Sequence, residues 1–257
     1  MGKIIAYFMV IIMISLCFMS AYKLYGENLY KRELEQSLNL SCKVFKTCII
    51  KTGNKKEAGK RAPIVENIDK EKLLQDFYDI LSLNYPNITG YNNIKRNIRL
   101  KMIIHGDRMY YAGTNNKWSI PVFFTEYNEI PGTEVYFNIN DDSVYYYIGT
   151  DKYYTDLNAL GITNEEKYEL IIDKVNSIVA KNTIQTLVTG SQKHVFGAKL
   201  NIRNPYTSDN TLKYNMSHFN ILEGSTFFVV YTEGMNHHFG NMDFTFKNLA
   251  VSGYTIR

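Results

Sequence analysis

Between Ile4 and Ala21 the chain carries no charged side chain, and an apolar run of about 18 residues is at the short end of what spans a bilayer as a helix. At about −0.3 to −0.6 kcal/mol for each Ile, Leu, Phe or Val near the centre, these residues favour insertion by roughly −3 to −5 kcal/mol. Tyr7 and Tyr22 stand where interfacial aromatics are expected. A cleavable secretory signal would need a shorter apolar core and small residues before the cut, which Met19-Ser20-Ala21 supplies poorly. The expectation is a retained single-pass segment over 1–22, with Ile11 and Ile12 as its packing surface in the membrane. The very short N-terminal tail places that end inside and the remainder of the chain outside the cell.

After the apolar run, Leu34, Leu38, Cys42, Phe45 and Ile49 recur at spacings of four and three, the signature of one face of an amphipathic helix. The sequence predicts this helix over 23–50, with Leu34, Leu38 and Phe45 buried against the following domain or a neighbouring helix. Joined through Gly26, the two segments would make a helix roughly 70 Å long at 1.5 Å per residue. Residues 51–63 lack apolar periodicity, carry five basic side chains, and read as an exposed linker.

Residues 64–257 are expected to form one α+β head. Tyr and Phe number 21 and 14 against a single Trp, an inventory that favours strands. A helix is predicted over 69–83, ending before Pro86. The near-alternation from Ile94 to Ile104 predicts a strand with one apolar face and one solvated basic face, Lys95, Asn97, Arg99 and Lys101. Further strands are expected over 108–112, 118–127, 134–139 and 143–148. Thr163-Asn164-Glu165-Glu166 is a capping box, opening a helix that runs to about Thr189. Strands over 195–202, 217–222, 226–232 and 243–251 complete the pattern. Without regular βαβ alternation, this order points to a mainly antiparallel sheet with one or two packed helices.

No chemistry-bearing motif emerges. A phosphate-binding loop is absent, and Glu223-Gly224-Ser225 lacks the second half of a nucleophile elbow, so Ser225 reads as a turn residue. Cys17, Cys42 and Cys48 offer neither a disulfide framework nor zinc spacing. His237 and His238 are adjacent and would need a loop to share an ion. A hydrolase would require His218, His237, His238 and Asp243 to converge. Asn138 to Asp142 imitates the start of a calcium loop without its Gly and closing Glu. The net charge of +4 is too small to argue for nucleic acid. No enzyme, no cofactor and no metal are expected.

Met1-Gly2-Lys3-Ile4-Ile5, leading into one hydrophobic helix and an amphipathic continuation, resembles the pseudopilins of Tad-type pilus systems in clostridia and related Firmicutes. Tyr110-Tyr111, Trp118-Ser119, Phe137-Asn138-Ile139 and the segment from Phe239 to Ile256 are similar to membrane-anchored proteins of such systems. The resemblance implies a structural or accessory subunit of a pilus-like or secretion apparatus at the cell surface. Its partners would be the membrane, other pilin-like subunits and a platform membrane protein. Tyr7 stands where a processed prepilin has Glu, which implies a minor, tip or accessory subunit. The alternative is a membrane-anchored extracellular module that binds a wall polymer, peptide or small ligand.

Overall fold

The computed structural model describes residues 12–15, 17–18, 25, 31–51, 66–84, 88–139, 143–183, 185–189, 192–196, 200, 220–239 and 242–256. The chain divides into two units, Met1–Ser37 and Leu38–Arg257. In the first unit every described residue is helical. Most of the expected membrane segment, Ile11 included, lies outside the described residues, whereas Ile12 is helical and 42% exposed. Among the described residues no helix is long and apolar enough to cross a membrane.

The helix α1 (31–42) stops short of the predicted end at residue 50. A 3-10 turn, Lys43–Thr47, follows, and Ile49–Lys51 is a strand, β1, paired with β2 (Glu66–Ile68). The apolar face survives as far as Phe45, since Leu34, Leu38, Cys42 and Phe45 are buried, but beyond the turn Cys48 is buried and the predicted Ile49 only half-buried. A 3-10 turn has three residues per turn, so Phe45, three residues after Cys42, keeps its facing while the path tightens. Most of the predicted linker, from residue 52, lies outside the described residues.

Helix α2 (Lys70–Asn84) begins where Asp69 Oδ1 accepts from the Lys72 amide at 3.0 Å, satisfying one of the free donors of the first turn. Its buried side, Leu73, Leu74, Phe77, Tyr78 and Leu81, has the helical spacing expected of a core face. Helix α3 (Ile88–Asn97) replaces the first third of the predicted strand. Ile94 and Ile98 are four apart, so they fit a helical face as well as an alternating one. Lys95 and Arg96 then lie in the last turn, where cations complement the helix dipole. The strand itself, β3, covers Ile98–His105.

Among the described residues all strand pairings are antiparallel, as the element order implied. The larger sheet has the order β13-β12-β3-β4-β5, with β4 Arg108–Ala112, β5 Val122–Phe123, β12 Ser225–Phe239 and β13 Met242–Ile256. The second has the order β6-β7-β8-β9, formed by Thr125–Asn128, Thr133–Phe137, Ser143–Ile148 and Asp151–Asp156. The predicted strand over 118–127 is thus divided. It changes sheets at Phe124, whose amide donates to Asp107 O while its carbonyl accepts from Phe137 N. Strand β9, DKYYTD, is too polar to show an alternation and was not expected; the turn before it uses Gly149 at φ 64, a conformation that favours glycine.

The capping box forms as expected: Glu166 N donates to Thr163 Oγ1 at 3.2 Å, and Thr163 N donates to Glu166 Oε2 at 2.8 Å. Helix α4 (Asn164–Asn182) ends seven residues before the predicted stop. Residues 185–189, QTLVT, instead form β10, paired with β11 (Gln192–Phe196). Two threonines and a valine there favour a pleated strand over another helical turn. Of the predicted strand over 217–222, residues 217–219 lie outside the described residues and 221–222 form a turn.

One core lies where Leu100, Met102 and Ile104 of β3 meet Phe228 and Val230 of β12, Val135 and Phe137 of β7, and Ile171, Val175 and Val179 of α4. On the opposite face of the larger sheet, Phe227 meets Phe45 and Phe77, with ring centroids 6.0 and 5.7 Å apart. Strand β3 is therefore covered on both sides. Register slips between Val230 and Tyr231, because Leu100 opposes the first and Ile98 the second. Arg99 is the extra residue of this bulge.

Candidate functional site

Two places in the head concentrate polar and aromatic side chains: the outer face of the second sheet and the loop after β4.

The outer face follows from register. Tyr136 opposes Tyr145 across β7 and β8, and Tyr145 opposes Tyr154 across β8 and β9. Directly opposed residues share a face, so three tyrosines form a row across three strands. Tyr147, two positions beyond Tyr145, shares that face, as does Lys152 opposite it. The Tyr136 and Tyr145 rings stack at 4.8 Å and 7°, and Tyr147 meets both edge-on at 5.7 and 5.8 Å. The Lys152 ammonium lies 3.5 Å from the Tyr145 centroid and 4.8 Å from that of Tyr154.

Tyr145 is the fixed centre of the patch. Its hydroxyl donates to Asp107, whose carboxylate also accepts from Arg108 at 2.6 and 3.2 Å. Burial raises the Asp107 pKa, but the bonds from Arg108 and Tyr145 outweigh it and hold the carboxyl below its usual range. Tyr145, at 7% exposure, is pushed the other way, by burial first and by Asp107 second. Tyr147 and Tyr154 keep 40% and 62% of their surface open, and Tyr127 on β6 keeps 65%. The result is a partly wet aromatic patch, packed at its middle and open at its rim.

The second place is built around Lys101. Sequence alternation assigned this residue to a solvated face, but it is fully buried, because α2 covers that side of β3. Its three ammonium donors find three acceptors: Asn116 Oδ1 at 2.6 Å, Gly113 O at 2.7 Å and Tyr78 Oη at 3.3 Å. Tyr78 in turn donates to Asn116 Oδ1 at 3.1 Å. Asn116 has φ 56, a left-handed conformation that Asn tolerates better than most residues. Burial, with Lys95 adding repulsion, lowers the Lys101 pKa to about 8. A buried amine with a lowered pKa has the electronics of a nucleophile. Its donors are all engaged and no surface is open to a substrate, so Lys101 braces the loop.

That loop, Gly113 to Lys117, is closed by an isolated bridge between Ala112 and Trp118 and by reciprocal bonds between Tyr111 and Ser119. It borders a cleft of about 470 Å³ lined by Arg99 and Lys117, by Tyr111 and Ser119, and by Asn182 at the end of α4.

The other sequence candidates stay apart. Among the described residues no group of three or more His, Cys, Asp or Glu could hold a metal ion. His237 and His238 lie in β12 and not in a loop, opposite Phe244 and Asp243; His218 lies outside the described residues. Ser225 opens β12 instead of closing a turn, and its hydroxyl is 2.7 Å from His105 Nδ1. Cys42 is buried, its thiol donating to Ser252 O at 3.5 Å, and burial raises its pKa well above the ordinary value, which makes it inert. Leu34, Leu38 and Phe45 are core residues. The tyrosine row was missed because it is a product of strand pairing; the only local trace is Tyr145-Tyr146-Tyr147 followed by Tyr153-Tyr154.

No protein-family model matches this sequence, no curated protein matches it, and no solved structure matches its fold.

Proposed function

We propose that this chain is a membrane-anchored, non-enzymatic binding protein whose head holds a saccharide polymer of the cell wall on the tyrosine face of the β6–β9 sheet. The observation that carries this reading is the Tyr136-Tyr145-Tyr154 row flanked by Tyr147, packed at the centre and open at the rim. A tyrosine offers a flat apolar ring and one hydroxyl, and a sugar offers a flat C–H face edged by hydroxyls. Stacking the two removes apolar surface from water while keeping both sets of hydroxyls hydrogen-bonded. Rings already held in place lose little conformational freedom on binding. Anchorage rests on the uncharged run from Ile4 to Ala21, and an external head is the orientation in which a wall polymer is within reach.

A second reading, an accessory subunit of a pilus-like or secretion apparatus, draws support from the helical residues Ile12, Ile14 and Phe18, whose side chains are exposed. Apolar side chains in that position suit either lipid or sister helices packing through Ile11 and Ile12.

The test is co-sedimentation of the detergent-solubilised full chain with insoluble cell-wall polysaccharide, comparing it with the Tyr147→Ala/Tyr154→Ala double variant. Binding should weaken about tenfold or more in the variant, a loss of about 1.4 kcal/mol. Equal retention of both proteins, or of neither, removes the saccharide reading. Recovery of the protein in sheared filaments would favour the apparatus reading in its place.

A further inference from the structure

The cleft beside the loop after β4 has a charge pattern that the tyrosine face does not explain. Two of its walls are cationic, Arg99 from the β3 bulge and Lys117 from the loop, and among the described residues no acidic one lines it. Among the described residues the ion pairs are Lys31 with Glu35 and Arg108 with Asp107, so neither cleft cation is neutralised by a carboxylate. Lys101 adds a third positive charge directly beneath, bound to Gly113 O and Asn116 Oδ1 of the same loop.

The end of α4 borders the cleft and would ordinarily present negative carbonyl dipoles. Two carbonyls near that end also accept from side chains: Asn182 Nδ2 donates to Ile178 O at 2.8 Å, and the Thr183 hydroxyl donates to Val179 O at 2.6 Å. The charged side chains among the described residues lining the cleft, Arg99 and Lys117, are both cationic. A bulge is also the device that re-aims a side chain out of its strand. An ordinary alternation would have left residue 99 on the strand face shared with buried Lys101, whereas Arg99 is exposed and lines the cleft.

We propose that this cleft is an anion site that takes the phosphate group of a small phosphorylated ligand. A guanidinium offers paired donors that match two phosphate oxygens, and the Lys117 ammonium can act as a point charge on the third. The Ser119 hydroxyl and Tyr111 stand on the same wall. The volume of about 470 Å³ exceeds what one tetrahedral oxyanion needs and falls in the range of small-molecule pockets, leaving room for an organic moiety attached to the phosphate.

The protein carries its own reporter, since Trp118 is the single tryptophan and directly follows Lys117. Equilibrium dialysis of the detergent-solubilised full chain against inorganic phosphate and glycerol 3-phosphate, at constant ionic strength in chloride, measures binding. Trp118 fluorescence, recorded in parallel, reports where it occurs. The expected result is saturable binding of both, tighter for glycerol 3-phosphate, weakened about tenfold or more by Arg99→Gln and by Lys117→Gln. Tighter inorganic phosphate would confirm an anion site but overturn the organic moiety. Absence of saturable binding up to about 10 mM, or binding unchanged in both variants, overturns the site. Arg99 and Lys117 are exposed, so neither substitution threatens the fold. The Tyr147→Ala/Tyr154→Ala variant should bind phosphate normally, which keeps this result separate from the saccharide test.

Discussion

The larger sheet and the tyrosine sheet are both rich in aromatic side chains, but they put them in opposite surroundings. Phe227, Phe228 and Tyr231 of β12 are fully buried, because α4 packs on one face of that sheet and α2 on the other. Strands β7 and β8 have a single packed face, Val135, Phe137 and Val144, and present Tyr136, Tyr145 and Tyr147 on the other. Aromatic clustering by itself says little about function. In the larger sheet the rings exclude water and a polar group such as Lys101 survives only with every donor satisfied. In the second sheet the rings at the rim, Tyr147 and Tyr154, meet water, while Asp107 and Lys152 hold the central Tyr145 in place.

The largest effect belongs to Phe227→Ala. It removes a ring packed between Phe45 and Phe77, and large-to-small changes of this kind cost about 3 to 5 kcal/mol. Denaturant unfolding of the head measures it, and a loss near zero would mean that the sheet is not sandwiched as described.

Lys101→Met should rank next, at about 1 to 3 kcal/mol, because Gly113 O and Asn116 Oδ1 lose their donor in a buried setting. This variant also carries a pH signature. The folded pKa of Lys101, about 8, lies below the value of about 10.4 for an unfolded lysine. Between those values the unfolded chain binds more protons, so the stability contributed by this group rises with pH. The stability difference between wild type and variant should therefore grow from pH 7.5 to 9.5; a flat difference would show that Lys101 is not buried as an ammonium.

Tyr147→Ala should be the mildest, about 1 kcal/mol or less, since its edge-on contacts lie on a wet face. The comparison sharpens if polymer retention falls while the unfolding midpoint barely moves. A loss as large as that of Phe227→Ala would make the tyrosines a second core.

Much of this was legible in the chain. Thr163 and Glu166 announced the start of α4, the face of α2 was readable from Leu73, Phe77 and Leu81, and Ser143 to Ile148 formed the strand expected. The antiparallel α+β class followed from element order. Failures came where two periodicities coincide or where polarity hides a strand. Ile94 and Ile98 fit helix and strand equally, and β9 has too few apolar residues to announce itself. The candidate site was less legible still: Arg99 and Lys101 read as one basic stripe, yet a bulge sends the first into the cleft while α2 covers the second.

By itself the sequence determined the features that depend on neighbours a few residues away: the uncharged run from Ile4 to Ala21, the capping box, the face of α2 and the strand at Ser143–Ile148. The tertiary structure alone decided that Tyr136, Tyr145 and Tyr154 stand in one row and that Lys101 is enclosed by Tyr78, Gly113 and Asn116. The reason is physical: helical and strand periods are set by local backbone geometry. Register and burial, in contrast, are set by which distant segment packs alongside, a choice made by the whole core.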